Sequence, residues 1–526
     1  MGDGAPRQRR PTRADSLIDP KVFRGLIGTR TRQLIRLVHA LERHPMGEEI
    51  LTRPLLGALL SEAAQSEELL DAYGARNNLH WAPLRSSISG LKLFSDAGYK
   101  LIHILHATPK YRLLPVEGDF DADTRAALQR TGDILMLLAT DAAELARRLG
   151  LPAPGDLPDA ADFGEALPEG YLPHDRTTRH TENAGEIVAE LATAFLDLAA
   201  ASDLLHAPHR CETDADYAGC VPDPISERAL RHIEEEFHSL QSTYDTYVSD
   251  TDTEEQDSDL KVLRGHVSVI YHLLQVATGL CHYYERHLSE RDTNTVRVMR
   301  LRVQPRILLR MLMDYALAYA SRYLDTGRQL CQEMLQRYAS QGTVTVPVPR
   351  YRGFHVRPST LIAKIVRHYG SHVTMRLKEE TYDAGAPLDL FRANEAINAE
   401  KRRRIAAEIP ELLPRGECPP VDETLRAVQR IIHDLADAHK LVVYERPLPL
   451  DELTPDENET LAQFAIDEVA RLLAMGKIDI RSEIEVTFEG DERVLADIRL
   501  LAEHGYGEDE LGNNVPLPDK LRYLRR

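Results

Sequence analysis

The chain has 526 residues, 43% hydrophobic and 28% charged, with a formal net charge of −19. That length is too great for one compact core and predicts several domains, while the acidic excess excludes a polyanion as the main partner, so no nucleic acid is expected. Five irregularly spaced cysteines exclude a disulfide framework, and no apolar run approaches the ~18 residues that span a bilayer, so a cytoplasmic protein with no membrane partner is expected.

The first 18 residues read as a disordered basic tail carrying the Arg7 to Arg13 cluster, with no signal-type apolar segment after it. Residues 19–149 read as a helical domain. Leu34, Leu37, Val38 and Leu41 recur at helical spacing, as do Leu55, Leu59, Leu60 and Ala63, and amphipathic stretches follow at Leu91 to Leu105 and Thr124 to Leu149. The stretch 150–179 is rich in proline and glycine and reads as a linker. Residues 180–340 read as a helical bundle built from Glu182 to His206, Glu227 to Val248, Leu260 to Leu288 and Leu308 to Tyr338. Ser249 to Asp259, acidic and without apolar anchors, reads as a mobile loop between two of these helices. No fixed-period repeat indicates a solenoid.

The pattern changes at residue 341, and 341–526 reads as an α+β unit. Thr343 to Pro349 is β-branched and alternating, a strand whose prolines suit a sheet edge. Pro358 to His368 is a short amphipathic helix, Val373 to Leu377 a second strand, and Glu483 to Glu489 the clearest alternating strand in the chain. Gly490 turns into a last helix, Glu492 to His504.

Between the first strand and its helix stands Arg352-Gly353-Phe354-His355-Val356-Arg357-Pro358-Ser359-Thr360. Each neighbour of His355 suits the holding of a phosphoryl group. Gly353 permits a sharp turn through positive φ. Pro358 starts a helix in whose first turn a missing N–H costs nothing. The free amides and dipole of that turn point at an anion carried by His355. Arg357 can donate two hydrogen bonds to phosphate oxygens. A neutral imidazole is a competent nucleophile toward phosphoryl donors near neutral pH.

The Gly-x-His-x-Arg-Pro core, followed by Ser359 to Ala363, resembles the active-site loop and first helix of HPr, the histidine-containing phosphocarrier of the bacterial phosphotransferase system. The resemblance continues through Ser371 to Leu377 and resumes at Ile484 to Gly505, covering about a third of the chain. It implies an open-faced β-sandwich, an antiparallel sheet covered on one face by helices. It also implies that His355 accepts phosphate, that Arg357 contacts it, and that a donor of the enzyme I type recharges it. Arg352, Gly353, Pro358 and Ser359 would support the site. Arg352 departs from the family, which carries a small polar residue there; an added cation could raise phosphate affinity or alter partner choice. The segment that aligns with a regulatory serine of many members, Ala386 to Ala393, holds no serine or threonine. The largest departure is an insertion of about residues 379–481, with helical stretches near Asn394 to Ile409, Val421 to Lys440 and Glu457 to Met475 and a strand at Leu441 to Tyr444. Leu425, Val428, Ile431, Ile432 and Leu435 form an apolar face that needs cover, and the insertion is expected to pack on the sheet or to project from its edge.

Elsewhere, His206, His209, Cys211 and Cys220 offer four zinc-type ligands at a spacing that matches no standard knuckle. A polar interhelical loop is the alternative, and neither a metal nor a cofactor is expected. Arg297, Arg300, Arg302, Arg306 and Arg310 form a basic stripe suited to salt bridges with the abundant carboxylates. The function expected is that of a phosphocarrier or regulatory protein, more carrier than turnover enzyme. Two rivals stand beside it: a scaffold whose HPr-like domain binds partners without taking phosphate, and a helical enzyme gated by that domain.

Overall fold

A computed structural model describes residues 17–43, 51–158, 160–165, 170, 172–173, 175, 177–180, 183–289, 294–412, 421–444, 448, 459–481 and 483–525. The Arg7 to Arg13 cluster lies outside them. The chain is mostly helical, with one four-stranded antiparallel sheet and one two-stranded ladder among the described residues. It divides into two compact units, one taking in 1–187 and 198–330, the other 188–197 and 331–526.

Among the described residues the regular elements of the first unit are all helices. Its helices begin where side chains replace missing backbone acceptors. Asp19 accepts the amides of Lys21 and Val22 ahead of Pro20, and Asp119 accepts that of Ala122. The helix Ala82–Ala107 packs against Arg53–Ala72, Phe120–Arg148 and Ser258–Tyr283 and buries Ile88, Leu91, Phe94 and Leu101. Gly265 lets the last of these approach a neighbouring segment, since a Cβ there would lie 1.9 Å from the Tyr111 carbonyl oxygen. Described residues of the 150–179 stretch bond to this unit: the Asp156 carbonyl accepts from Arg36, and Glu165 pairs with Arg53.

The acidic stretch Ser249 to Asp259, expected as a loop, forms a short helix, Asp252–Gln256. Polar caps replace apolar anchors there. Thr251 accepts the Glu254 amide, Asp257 accepts the Asp259 amide, and the Tyr244 hydroxyl donates to Glu254.

The second unit is built on four strands, β1 (Gln341–Pro347), β2 (Thr374–Leu377), β3 (Glu380–Asp383) and, last in the chain, β6 (Glu485–Asp491), all antiparallel in the order β1-β6-β2-β3. Pro347 ends an edge strand, where no ladder donor is lost. Strand alternation sorts the residues by face. Val344 pairs with Phe488, Val346 with Val486, and Met375 with both Phe488 and Tyr382; all six are buried on one face. On the other face Thr345 and Thr487 share a hydrogen bond of 2.9 Å and Arg376 meets Glu489 at 2.8 Å. Among the described residues the buried face is covered by the helix Glu492–Glu503, which lies on β1 and β6 and packs in turn against Val356–His368. Strand β3 is absent from the sequence reading, which placed these residues in the insertion. Its side chains are exposed except Tyr382, so it shows no apolar alternation.

The insertion has its own core. Helices Pro387–Leu412, Val421–Asp437 and Leu461–Ala474 enclose a two-stranded ladder, β4 (Leu441–Val443) with β5 (Ile478–Ile480). Val428, Ile431, Ile432 and Leu435 are buried here against Phe464, Val469, Leu472 and Ile478, with Leu425 partly buried beside them. That face finds its cover within the insertion and leaves the sheet's polar face open. The first of these helices is continuous across two settings. Leu390, Ala393 and Ile397 are buried in its first half, which lies on β3 and the helix Val356–His368, while Ile405 and Ile409 belong to the insertion core.

Candidate functional site

The residues between β1 and the helix Val356–His368 place His355 at the helix N-cap. Two consecutive left-handed residues make the turn, Arg352 at φ 52° and Gly353 at φ 61°. Glycine takes this conformation freely, whereas for arginine it costs about 1–2 kcal/mol. The loop is held from the insertion side. Asn394 donates its amide to the Arg352 carbonyl at 3.0 Å and accepts the Phe354 N–H at 2.9 Å. Asp479 accepts the Arg352 N–H at 3.0 Å. Asn394 packs so closely that a Cβ on Gly353 would come within 2.1 Å of its Oδ1. Asp479 is itself buried and paired with Lys401 at 2.7 Å. Asn394 and Lys401 lie seven residues apart on the helix Pro387–Leu412, hence on one face of it.

The His355 carbonyl accepts the Ser359 amide at 3.2 Å, the first bond of the helix. Its ring makes no capping bond. It lies instead with Nε2 2.8 Å from Glu508 Oε2 and with its edge to the Tyr351 ring. Glu508 is 8% exposed and the imidazole 24%. A carboxylate only accepts, so in the neutral ring Nε2 carries the proton and Nδ1 the lone pair. Nδ1 has no hydrogen-bond partner among the described residues. In the first turn that follows His355 the amides of Val356 and Arg357 have no helical acceptor, and Pro358 has no N–H.

Arg357 is drawn toward the same carboxylate. Its Nε lies 3.8 Å from Glu508 Oε1, within ion-pair range but too far for a hydrogen bond, and its Nη1 donates to Asn514. That Nε is buried without a hydrogen-bond partner. Arg352 points the other way: its guanidinium donates to the Gly476 carbonyl and lies over the rings of Tyr351 and Tyr444. Ser359 is fully buried and donates to the Phe354 carbonyl at 2.9 Å, which ties the loop to the helix. Pro358 is buried within the helix's first turn. Thus His355 and Arg357 converge on one carboxylate, while Arg352, Gly353 and Ser359 serve the shape of the loop.

Four residues of this site lie outside the motif around His355. Glu508 and Asn514 follow the last helix, and Asn394 and Asp479 lie in the insertion. Asp479 does leave one trace, a carboxylate between two isoleucines in a strand buried at all three positions.

The zinc-type residues are arranged differently. Cys211 Sγ lies 3.2 Å from Cys220 Sγ, and burial, then the neighbouring thiol, push Cys211 up to about 11. That disfavours the thiolate that would ligate zinc. His206 pairs with the Ser321 hydroxyl through Nδ1 at 2.8 Å. The side chain of His209 lies outside the described residues. No group of three or more His, Cys, Asp or Glu among the described residues is placed to hold a metal. Of the basic stripe, Arg302 pairs with Asp141, and both Arg306 and Arg310 pair with Asp214. No described helix is long and apolar enough to cross a membrane.

Comparisons with protein-family models, curated proteins and solved structures give no match to this chain.

Proposed function

We propose that 341–526 is an HPr-like phosphocarrier domain and that His355 accepts a phosphoryl group on Nδ1 from a donor of the enzyme I type. The observation that carries the reading is the Glu508 contact at Nε2, which leaves Nδ1 as the nucleophilic nitrogen beside the first helical turn. In the reaction the Nδ1 lone pair attacks phosphorus, the bond from phosphorus to the donor breaks, and the donor group leaves with that bond's electron pair. The Nε2 proton stays on the ring, which becomes cationic, and Glu508 stabilises that cation. The phosphoryl oxygens face the amides of Val356 and Arg357 and the guanidinium of Arg357, which offset about two negative charges on an otherwise acidic protein. The open-faced antiparallel sheet and its helical cover support the same reading.

The test is labelling of the purified full chain by phosphoenolpyruvate and a general phosphotransferase kinase. Acid-labile, base-stable label that vanishes in His355→Ala is expected. Label that survives acid, or that persists in His355→Ala, would overturn the assignment. A chain that no phosphotransferase kinase labels is a binding module instead.

A further inference from the structure

Within the second unit, β1's C-terminal extension, the insertion and Glu510 line an open cavity of about 420 Å³. Its polar lining reverses the sign of the chain. Arg350, Lys401, Lys440 and Arg481 face Glu483 and Glu510, in a protein whose net charge is −19. The single carboxylate of Glu510 serves two guanidiniums, those of Arg350 and Arg481, while Lys440 is paired with Glu408 at 2.7 Å. Val442 and Ile480 give the cavity an apolar wall. Its size is that of a small-molecule site.

Lys401 separates this cavity from an ordinary basic surface. It is 3% exposed, and the one partner described for its ammonium is Asp479 Oδ1. An ammonium has three donors, so beyond the Asp479 bond it can still donate to a group that enters the open volume beside it. Guanidiniums able to fork onto oxygen pairs, a buried ammonium with spare donors and an apolar wall together suit a phosphate group attached to an organic body.

We propose that the cavity binds a small phosphorylated organic molecule of nucleotide or sugar-phosphate size, and that the His355 loop senses its occupancy. The path to the loop is short. Lys401 holds one oxygen of Asp479, and the other oxygen holds the Arg352 amide. A phosphate that takes a share of the ammonium leaves Asp479 a stronger acceptor for that amide, tightening the loop before His355. The binding half stands without any phosphoryl transfer; the sensing half rests on the reading of His355 as the phosphoacceptor.

Calorimetric titration of the full chain, with no phosphoryl donor present, tests the site using inorganic pyrophosphate, AMP and glucose 6-phosphate. At least one organic phosphate is expected to bind roughly tenfold more tightly than pyrophosphate, and the double variant Arg481→Ala, Lys440→Ala to weaken it roughly tenfold or more. Both side chains are about half exposed, so the variant keeps its core; Arg481→Lys, which retains the charge, recovers part of the binding. AMP ahead of glucose 6-phosphate assigns a nucleotide, and the reverse order a sugar phosphate. No binding by any probe, equal binding of pyrophosphate, or an unaffected double variant overturns the site. With the ligand bound, exchange of the Arg352 amide is expected to slow about threefold; unchanged exchange overturns the sensing. A chain that binds AMP but never labels on His355 would refute the phosphocarrier reading while leaving the site in place.

Discussion

Replacing Asn394 by Ala removes both bonds that fix the turn before His355, the 3.0 Å bond to the Arg352 carbonyl and the 2.9 Å bond from the Phe354 amide. Each partly buried bond contributes about 1 kcal/mol net, so the loss is about 2 kcal/mol. It falls on a loop that already holds Arg352 in a conformation unfavourable by about 1–2 kcal/mol, so the native turn and a relaxed one become comparable in energy. Exchange of the Phe354 amide should therefore quicken roughly 30-fold, about 1.4 kcal/mol being tenfold. Labelling of His355 should slow in step, because the ring spends less time against Glu508. Asn394→Asp is the matched control. It keeps an acceptor for the Phe354 amide but sets a second oxygen against the Arg352 carbonyl, so only one bond is lost. The measurement is residue-resolved hydrogen exchange on the full chain. If the Phe354 amide exchanges at the parent rate in Asn394→Ala, the loop is held by its own backbone and not by the insertion.

Arg357→Ala should cut phosphoryl transfer by about 1.5–3 kcal/mol of charged hydrogen bonding, read as the labelling rate, while the melting temperature stays put; an unchanged rate would remove Arg357 from the site. Gly353→Ala introduces a Cβ 2.1 Å from Asn394 Oδ1 at φ 61°. It should lower the melting temperature of the second unit and speed exchange of the Phe354 amide, which a neutral substitution would not. In the first unit, His266 is fully buried as the neutral ring, accepting the Leu114 amide at Nε2 and meeting the Tyr323 carbonyl through Nδ1. Burial lowers its pKa to about 4 from 6.5. The unfolded chain then binds the proton at higher pH than the folded one, so this contribution is complete above pH 6.5 and is lost as pH falls toward 4. The full difference is about 3 kcal/mol. Urea unfolding at pH 7 and 4.5 should show the loss in the parent and a smaller loss in His266→Gln; equal losses would clear His266.

The loop and its helix were legible because their signals are local. Proline, glycine and two charged side chains sit within six positions of His355, and the strands on either side alternate cleanly. The long helices were legible for the same reason, as the apolar periods of Thr124 to Leu149 and Val421 to Lys440 show. What escaped depends on residues distant in sequence. Glu508 lies 153 positions from His355, in a run of acidic residues indistinguishable from a solvated loop. Asn394 reads as an ordinary helix residue, and only its place opposite Gly353 gives it a role. Arg352 reads as a cation next to a phosphate site, yet the Gly476 carbonyl and two tyrosine rings turn it toward the insertion. The insertion was recognised by its length, but whether its apolar faces close on each other or on the sheet depends on total volume, which no single period reports.

The second unit is not one stretch of chain, since residues 188–197 belong to it and 198–330 do not. This bears on how the protein is made. Val188, Leu191, Ala192 and Phe195 leave the ribosome ahead of residues 198–330 and of the rest of their own unit, and all are buried in the finished molecule. The rest of their unit is complete only some 330 residues later, on the order of half a minute at ~5–20 residues per second. Through that interval the nascent chain carries an apolar helical strip whose unit is not yet complete. Cotranslational folding of the first unit therefore proceeds while a segment of the second is held in waiting, and a ribosome stalled before residue 331 displays the strip without the rest of its unit.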